Sequence, residues 1–212
     1  MSLTASCPRC REGLEGAVGG ACPVHGVRTP LWVPDEVSYD GFTEHLQAAG
    51  DFPTYLPWPM SPGWAVADFG VVASTDPDGS AAATVTCSSG TSELDGPVDV
   101  FVVAEEAGVG LGARCAGLVG DDPGADFRTV PPEVKVRIGA QSVPLWAVST
   151  SDSRGDLDRS VVVGEFAGRW LWIVLRPASA VLLLRDDWIL RDVSGVGPPL
   201  VEMPFGGPRP AW

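Results

Sequence analysis

Four residues near the N-terminus have the types and spacing to hold a metal ion: Cys7 and Cys10, then after eleven residues Cys22 and His25. Zinc takes four soft or borderline ligands in a tetrahedron, and two Cys-x-x-Cys/His pairs supply them because each short loop bends both side chains onto one ion. Pro8 and Pro23 follow the first cysteine of each pair and help set the bend, and Gly26 suits a tight turn after His25. Such knuckles often carry glycine directly after the second ligand. Here that position is Arg11, which positive φ would strain. A disulfide is the rival, opposed by a reducing compartment. A redox Cys-x-x-Cys opens a helix beside a strand, and Arg11-Glu-Gly-Leu-Glu-Gly16 does not read as one. Four protein ligands leave no position for water, so the expected Zn2+ is structural rather than catalytic. It would staple a head of about thirty residues that lacks the apolar residues for a core of its own.

A second segment invites a chemical reading. Val98–Ala104 reads as a strand, followed by Gly108-x-Gly110-x-x-Ala113, a degenerate dinucleotide fingerprint. Glu105 and Glu106 fall where a pyrophosphate would approach, no second βαβ unit exists, and the helix to follow is very short. The plainer reading is a turn that needs small residues for close packing. The alternative is a small-ligand pocket at Gly108, Gly110, Gly112 and Arg114, with Arg114 meeting an anionic group. Glu105–Glu106, Asp121–Asp122 and Asp186–Asp187 are adjacent carboxylates that point to opposite faces of a strand, so they read as solvated rather than as acid/base pairs. His45 falls beside the Phe42–Leu46 stripe of a short helix and reads as a surface residue. Cys87 and Cys115 read as buried small hydrophobes. Cys115 with His45 is a conceivable nucleophile pair, and no Ser/His/Asp triad can be assembled once His25 is committed to metal. Pro59-x-x-Pro62 is a weak groove-ligand signal.

These residues must be positioned by a chain of 212 residues, 45% hydrophobic with eight tryptophans, enough for one good-sized core plus an appendage. No apolar run approaches the roughly 20 residues that cross a bilayer, and the N-terminus lacks a signal-peptide pattern, so cytoplasm is the expected location. Formal net charge is −13, and Lys135 is the only lysine among 14 basic residues. From Thr29 to Ala113 there is no Lys or Arg, against 13 acidic residues. Such a surface repels phosphate backbones and anionic lipid, and the head adds only Arg9, Arg11 and Arg28 against Glu12 and Glu15. Nucleic acid and membrane are disfavoured. Solubility or a basic protein partner accounts for the charge.

Residues Asp40–Gly50 read as a helix capped by Asp40 and ended by Gly50, with Phe42, Leu46 and Ala49 on one face. Strands are expected at Ala65–Ala73, Ala81–Cys87, Val98–Ala104, Val134–Ile138, Val143–Val148, Val161–Phe166, Trp170–Leu175 and Trp188–Val193, with Val161–Phe166 and Trp170–Leu175 the best hairpin. Trp170 and Trp172 share one strand face and Leu171 and Ile173 the other, as in a strand covered on both sides. Ala178–Leu184 fits a helical turn or a strand. Asp76-Pro-Asp-Gly79 and Ser151–Gly155 are turn-type breakers. The chain divides into a zinc-ribbon-like head (1–30), a connector with a short helix and a proline/aromatic segment (31–63), a β-rich domain (64–194) and a Pro/Gly-rich tail (195–212). The fold class is mainly β: a zinc knuckle packed on an antiparallel sheet or sandwich with one or two short helices.

Cys7-Pro-Arg-Cys10 with Cys22-Pro-Val-His-Gly26, then Leu56-Pro-Trp-Pro-Met-Ser-Pro-Gly-Trp64, Glu105–Arg114, Pro144-Leu-Trp146 and Gly168-Arg-Trp-Leu-Trp172, resemble a family of unknown function from high-GC actinobacteria. The resemblance runs over nearly the whole chain in the same order. It implies a bacterial cytoplasmic protein whose head and β-rich body travel together, and it carries no catalytic residues. The function class left standing is a non-catalytic binding or scaffolding protein with a structural zinc site and a protein partner. An enzyme or ligand-binding protein with a pocket near Gly108–Arg114 is second, and a nucleic-acid-associated zinc ribbon third.

Overall fold

A computed structural model describes residues 3–10, 12–14, 20–74, 79–124, 127–148, 158–185 and 188–212. Arg11, the Asp76–Asp78 part of one breaker, the Ser151–Gly155 breaker and Asp186–Asp187 lie outside the described residues. Among the described residues, two helices and thirteen strands follow in chain order: β1 (Leu3–Ser6), β2 (Ala21–Cys22), β3 (Gly26–Val27), β4 (Leu31–Pro34), α1 (Tyr39–Ala49), β5 (Tyr55–Pro57), β6 (Ala65–Ala73), β7 (Ala81–Ser92), β8 (Gly96–Glu105), α2 (Leu111–Ala116), β9 (Val134–Ile138), β10 (Gln141–Val148), β11 (Ser160–Phe166), β12 (Arg169–Arg176) and β13 (Ile189–Asp192). Short 3-10 helices occupy Ala178–Arg185 and Pro198–Glu202, which resolves the Ala178–Leu184 ambiguity in favour of helical turns.

Eleven strands hydrogen-bond in the order β1-β4-β6-β7-β8-β12-β11-β10-β9-β13-β5, and β2-β3 form a separate hairpin. Each of these strand pairs is antiparallel except β9–β13. The mainly β fold with few helices is therefore the one the strand pattern predicts. The β11–β12 hairpin is present in full register, from Ser160↔Leu175 to Phe166↔Arg169. Strand β10 changes partner along its length, pairing with β9 through Gln141–Leu145 and with β11 through Trp146–Val148. Beyond that switch the sheet returns over itself. The Thr84 and Thr86 hydroxyls of β7 donate 2.6 Å bonds to the carbonyls of Pro53 and Tyr55, which fastens β5 across β7.

Both faces of the central strands are buried, because alternate residues on each strand serve different cores. Val100, Val102, Val162, Leu171, Ile173 and Leu175 face the core closed by β9, β13 and the first 3-10 helix. Phe101, Val103, Val161, Val163, Trp172 and Val174 face a second core covered by α2 and Trp212. A third cluster packs α1 through Phe42 against Leu56, Val66 and Phe69. The tail runs back over the sheet. Val66 and Phe205 form a parallel bridge, and the Trp212 indole donates to Asp68 Oδ2 at 2.7 Å, where Arg209 also donates at 2.8 Å.

Helix α1 departs from its prediction in two ways. Ser38, not Asp40, is the N-cap, its hydroxyl accepting from the Gly41 N–H, while Gly50 ends the helix as expected. The buried stripe also runs through Phe42, His45 and Ala49, so His45 is buried and Leu46 only half-buried. The imidazole stacks on Phe42 (5.4 Å, 11°), meets Phe69 edge-on and shares a 3.2 Å hydrogen bond with the Thr54 hydroxyl. Burial holds it neutral, lowering its pKa to about 3. The folded-state value lies below the ordinary 6.5, so this group's support is complete above that pH and is lost as pH falls toward 3. We expect wild-type stability to fall by up to about 1.4 kcal/mol per pH unit through this one proton between pH 6 and 4. His45→Phe should flatten that limb in denaturant melts at a series of pH values, and an unchanged slope would refute it.

Candidate metal centre

The chain forms two knuckles that face each other. In the first, the Cys7 N–H donates to Glu12 O at 3.0 Å, closing the turn that carries Cys10. In the second, the β2–β3 hairpin pairs Cys22 with Gly26, and Gly26 takes a φ of 70°, the left-handed conformation that spares glycine the strain of a Cβ. Cys7 and Cys22 are buried, while Cys10 and His25 are half-buried. One ligand atom from each lies within 4.8 Å of all the others.

The separations decide what the cluster can be. Cys10 Sγ and Cys22 Sγ are 3.5 Å apart, and His25 Nδ1 lies 3.6 Å from Cys7 Sγ and 3.7 Å from Cys22 Sγ. A disulfide needs about 2.05 Å, and all of these cysteines are free thiols. A tetrahedron with Zn–S near 2.3 Å and Zn–N near 2.05 Å has edges of about 3.8 Å (S···S) and about 3.6 Å (S···N). These three separations fall near such edges, and the four residues are close enough together to hold a metal ion. Burial, followed by the neighbouring thiols, pushes Cys10 up to about 11. Burial acts the same way on Cys22, but the His25 and Val24 N–H groups and the His25 ring outweigh it and bring that thiol down to about 6. Ligation must then displace thiol protons, so metal uptake weakens on acidification.

Arginine ties this head to the body. Arg9, inside the first knuckle loop, donates to Gly108 O (2.6 Å) and Val109 O (3.2 Å) and forms an ion pair with Asp121 at 2.7 Å. Arg114 on α2 donates to the carbonyl of Cys7 at 2.7 Å, and its guanidinium lies 4.9 Å from the centre of the Trp212 ring. Asp122 accepts from the Gly108 N–H and from the Trp170 indole, both at 2.9 Å. The glycine-rich segment is thus a docking loop. Gly110 adjoins the Arg9 stem, and a Cβ on Gly112 would lie 2.3 Å from the Trp172 indole, so only glycine permits that contact. Arg114 and Glu106 line different clefts. The first, about 250 Å3, is formed with Asp68, Arg209 and Trp212, and the second, about 260 Å3, with Pro8, Arg28 and Gly108 at the head–body seam.

Three sequence expectations need correcting. Glu105 is fully buried rather than solvated, because it lies at the end of β8 on the face that α2 covers. Its Oε2 accepts from the Leu111 N–H at 2.7 Å, so it occupies the first helical donor that a pyrophosphate would need. Asp121 and Asp122 are engaged as described. Glu106 is exposed as predicted, and Cys87 and Cys115 are buried. Burial pushes Cys115 up to about 12 and Cys87 well above the ordinary thiol range. Cys115 and His45 belong to separate cores and form no pair. Arg9 was not singled out from the sequence. The signal was a cation inside a ligand loop whose segment had no core to lean on.

One family model matches residues 1–212, head and body together, and its description is a family of unknown function, DUF6758. The chain belongs to that family. No curated protein and no solved structure matches it. The DUF6758 match thus spans the knuckles and the sheet alike.

Two tests follow from the docking contacts. Arg9→Ala leaves two carbonyls and Asp121 without their cation, which should cost about 2 kcal/mol and make the head protease-sensitive before the body. Arg9→Lys should not rescue it, since a point charge cannot serve three acceptors in a plane. Limited proteolysis with intact-mass readout decides this, and equal cleavage in wild type and both variants would refute it. Glu105 supplies the second. Burial is the largest influence on its carboxyl and raises it to about 7, against the Gly112 and Leu111 N–H groups and the Trp172 indole, which act to lower it. The folded value exceeds the unfolded one, so the penalty is absent below about pH 4.5, grows through neutrality and is complete above pH 7. Glu105→Gln should stabilise the protein at pH 8 by on the order of 2 kcal/mol relative to pH 4.5, as read from denaturant midpoints.

Proposed function

We propose that this chain is a non-catalytic binding or scaffolding protein whose head is stapled by one structural zinc ion and whose body engages a basic protein partner. The observation that carries the metal reading is the close grouping of three thiols and one imidazole from Cys7, Cys10, Cys22 and His25, all within 4.8 Å of one another. Three thiolates and an imidazole suit zinc better than hard cations, which take oxygen ligands. All four positions are protein donors, so such an ion would fold and hold rather than activate water.

The partner reading is supported by charge. The chain carries −13 net, with no cation between Thr29 and Ala113. Arg9 is spent on two carbonyls and Asp121, which argues against the head serving as a phosphate clamp. Among the described residues no helix is long and apolar enough to cross a membrane. A zinc thiolate site is suited to a reducing cytoplasm, the location we propose. A second reading, a small anionic ligand beside Gly108–Arg114, draws on one feature: Arg28 lines the seam cleft with Gly108, and its Nε is buried without a partner.

Metal analysis by mass spectrometry on untagged protein tests the main reading. We expect about one zinc per chain, lost in Cys22→Ser together with head protection from protease. Freshly reduced protein free of metal would overturn it and leave three clustered thiols to be examined for redox chemistry.

A further inference from the structure

Away from the head, three aromatic rings enclose a guanidinium. Trp146 on β10 and Trp170 on β12 lie on either side of β11, and Phe127, from the loop between α2 and β9, stands across both. Its ring meets Trp146 at 5.8 Å and 89° and Trp170 at 5.6 Å and 81°. The Cζ of Arg128 sits 4.9 Å from the Phe127 centre, 5.3 Å from Trp146 and 5.8 Å from Trp170. Glu165 completes the enclosure, 3.0 Å from Arg128 Nη2. The walls are fixed from behind, since the Trp146 indole donates to Val130 O at 2.8 Å and the Trp170 indole to Asp122 at 2.9 Å. Aromatic faces converging on one point beside a carboxylate are the chemistry that recognises a cation.

The occupant is held far less firmly than the walls. The side chains of Arg128 and Glu165 are 44% and 48% exposed, so water screens their ion pair and can replace it. A fixed cage with a surface-borne, exchangeable cation is a site whose ligand class is displayed by its own plug. We propose that Phe127, Trp146, Trp170 and Glu165 form a recognition site for an arginine side chain of a basic partner segment, with Arg128 as the resident competitor that the partner displaces. This deepens the partner reading above and rests on it. A planar guanidinium lies flat on a ring while its edge reaches the carboxylate, so arginine is preferred over lysine. The overall −13 charge favours approach of such a segment.

The test is a titration of 15N-labelled full-length protein with a capped Gly-Arg-Gly peptide and its lysine counterpart, reading the indole N–H signals of Trp146 and Trp170. Removing a competitor raises apparent affinity by the fraction of time it occupied the site. Arg128→Gln should therefore bind the arginine peptide at least about five-fold more tightly than wild type, with the lysine peptide weaker. Trp170→Ala in the Arg128→Gln background should abolish the response, near-UV circular dichroism confirming that both variants fold. Absence of any shift at Trp146 or Trp170 in Arg128→Gln at about 20 mM peptide, a ligand range that reveals even millimolar binding, overturns the proposal. Equal response to both peptides does the same, since it would report screening alone. The titration needs no native partner and no metal. Its failure would remove the cage and leave the partner reading, which is supported by charge alone, standing.

Discussion

Burying the carboxylate of Glu105 at the end of β8 is unfavourable in itself, and the contacts around it show what that burial secures. The Leu111 N–H bonds to it, which starts α2 directly against the sheet, and Gly112 lets the Trp172 indole lie under the first turn. With α2 fixed there, Arg114 projects to the carbonyl of Cys7, and the loop ahead of the helix presents the Gly108 and Val109 carbonyls to Arg9. The head has little apolar surface to dock with, so these charged hydrogen bonds replace a hydrophobic interface. A strong, directional bond to a carbonyl tolerates little displacement, which is why the position of α2 governs the position of the ligand loop.

The same face of the sheet is closed on its other side by the tail. Trp212 covers Phe101, and its indole N–H shares Asp68 Oδ2 with Arg209. Asp68 is itself buried, and a buried carboxylate demands such partners. The last residues of the Pro/Gly-rich tail are thus held to the sheet through one acid and one large ring. Head and tail meet at Arg114, which touches the carbonyl of Cys7 and the ring of Trp212. Loosening either one disturbs the support of the other.

The strands were legible because period-two alternation of β-branched and aromatic residues is a local signal, and β6 and β9 coincide with their predicted limits. The grouping of Cys7, Cys10, Cys22 and His25 was legible for the same reason: each pair is specified by residues three apart. What could not be read depends on partners distant in sequence. Pro30–Pro34 reads as a connector, yet Leu31–Pro34 becomes β4 because β1 and β6 lie on either side of it. His45 looked peripheral because the face of α1 that packs inward runs through Phe42, His45 and Ala49 rather than Phe42, Leu46 and Ala49, a choice set by Phe69 and Thr54 far along the chain. Glu105 looked solvated because nothing local reveals that α2 will cover it. Asp121 and Asp122 acquire roles from residues 9, 108 and 170, and no window along the chain contains those together.

The near-exclusive use of arginine has a structural cause that bears on the surface field. Among the described residues, Arg9, Arg114, Arg159 and Arg176 donate to main-chain carbonyls, and Arg169 and Arg191 lie over Phe52 and Trp58. A guanidinium supports several hydrogen bonds in one plane and stacks on rings, which an ammonium does poorly. Each of these cations therefore works as a clasp between elements, its charge directed inward or against an aromatic face. Glu106, Asp122 and other carboxylates remain exposed. A basic segment is attracted by the net charge of −13, and the cage at Trp146 and Trp170 offers its arginine a place already shaped by Arg128.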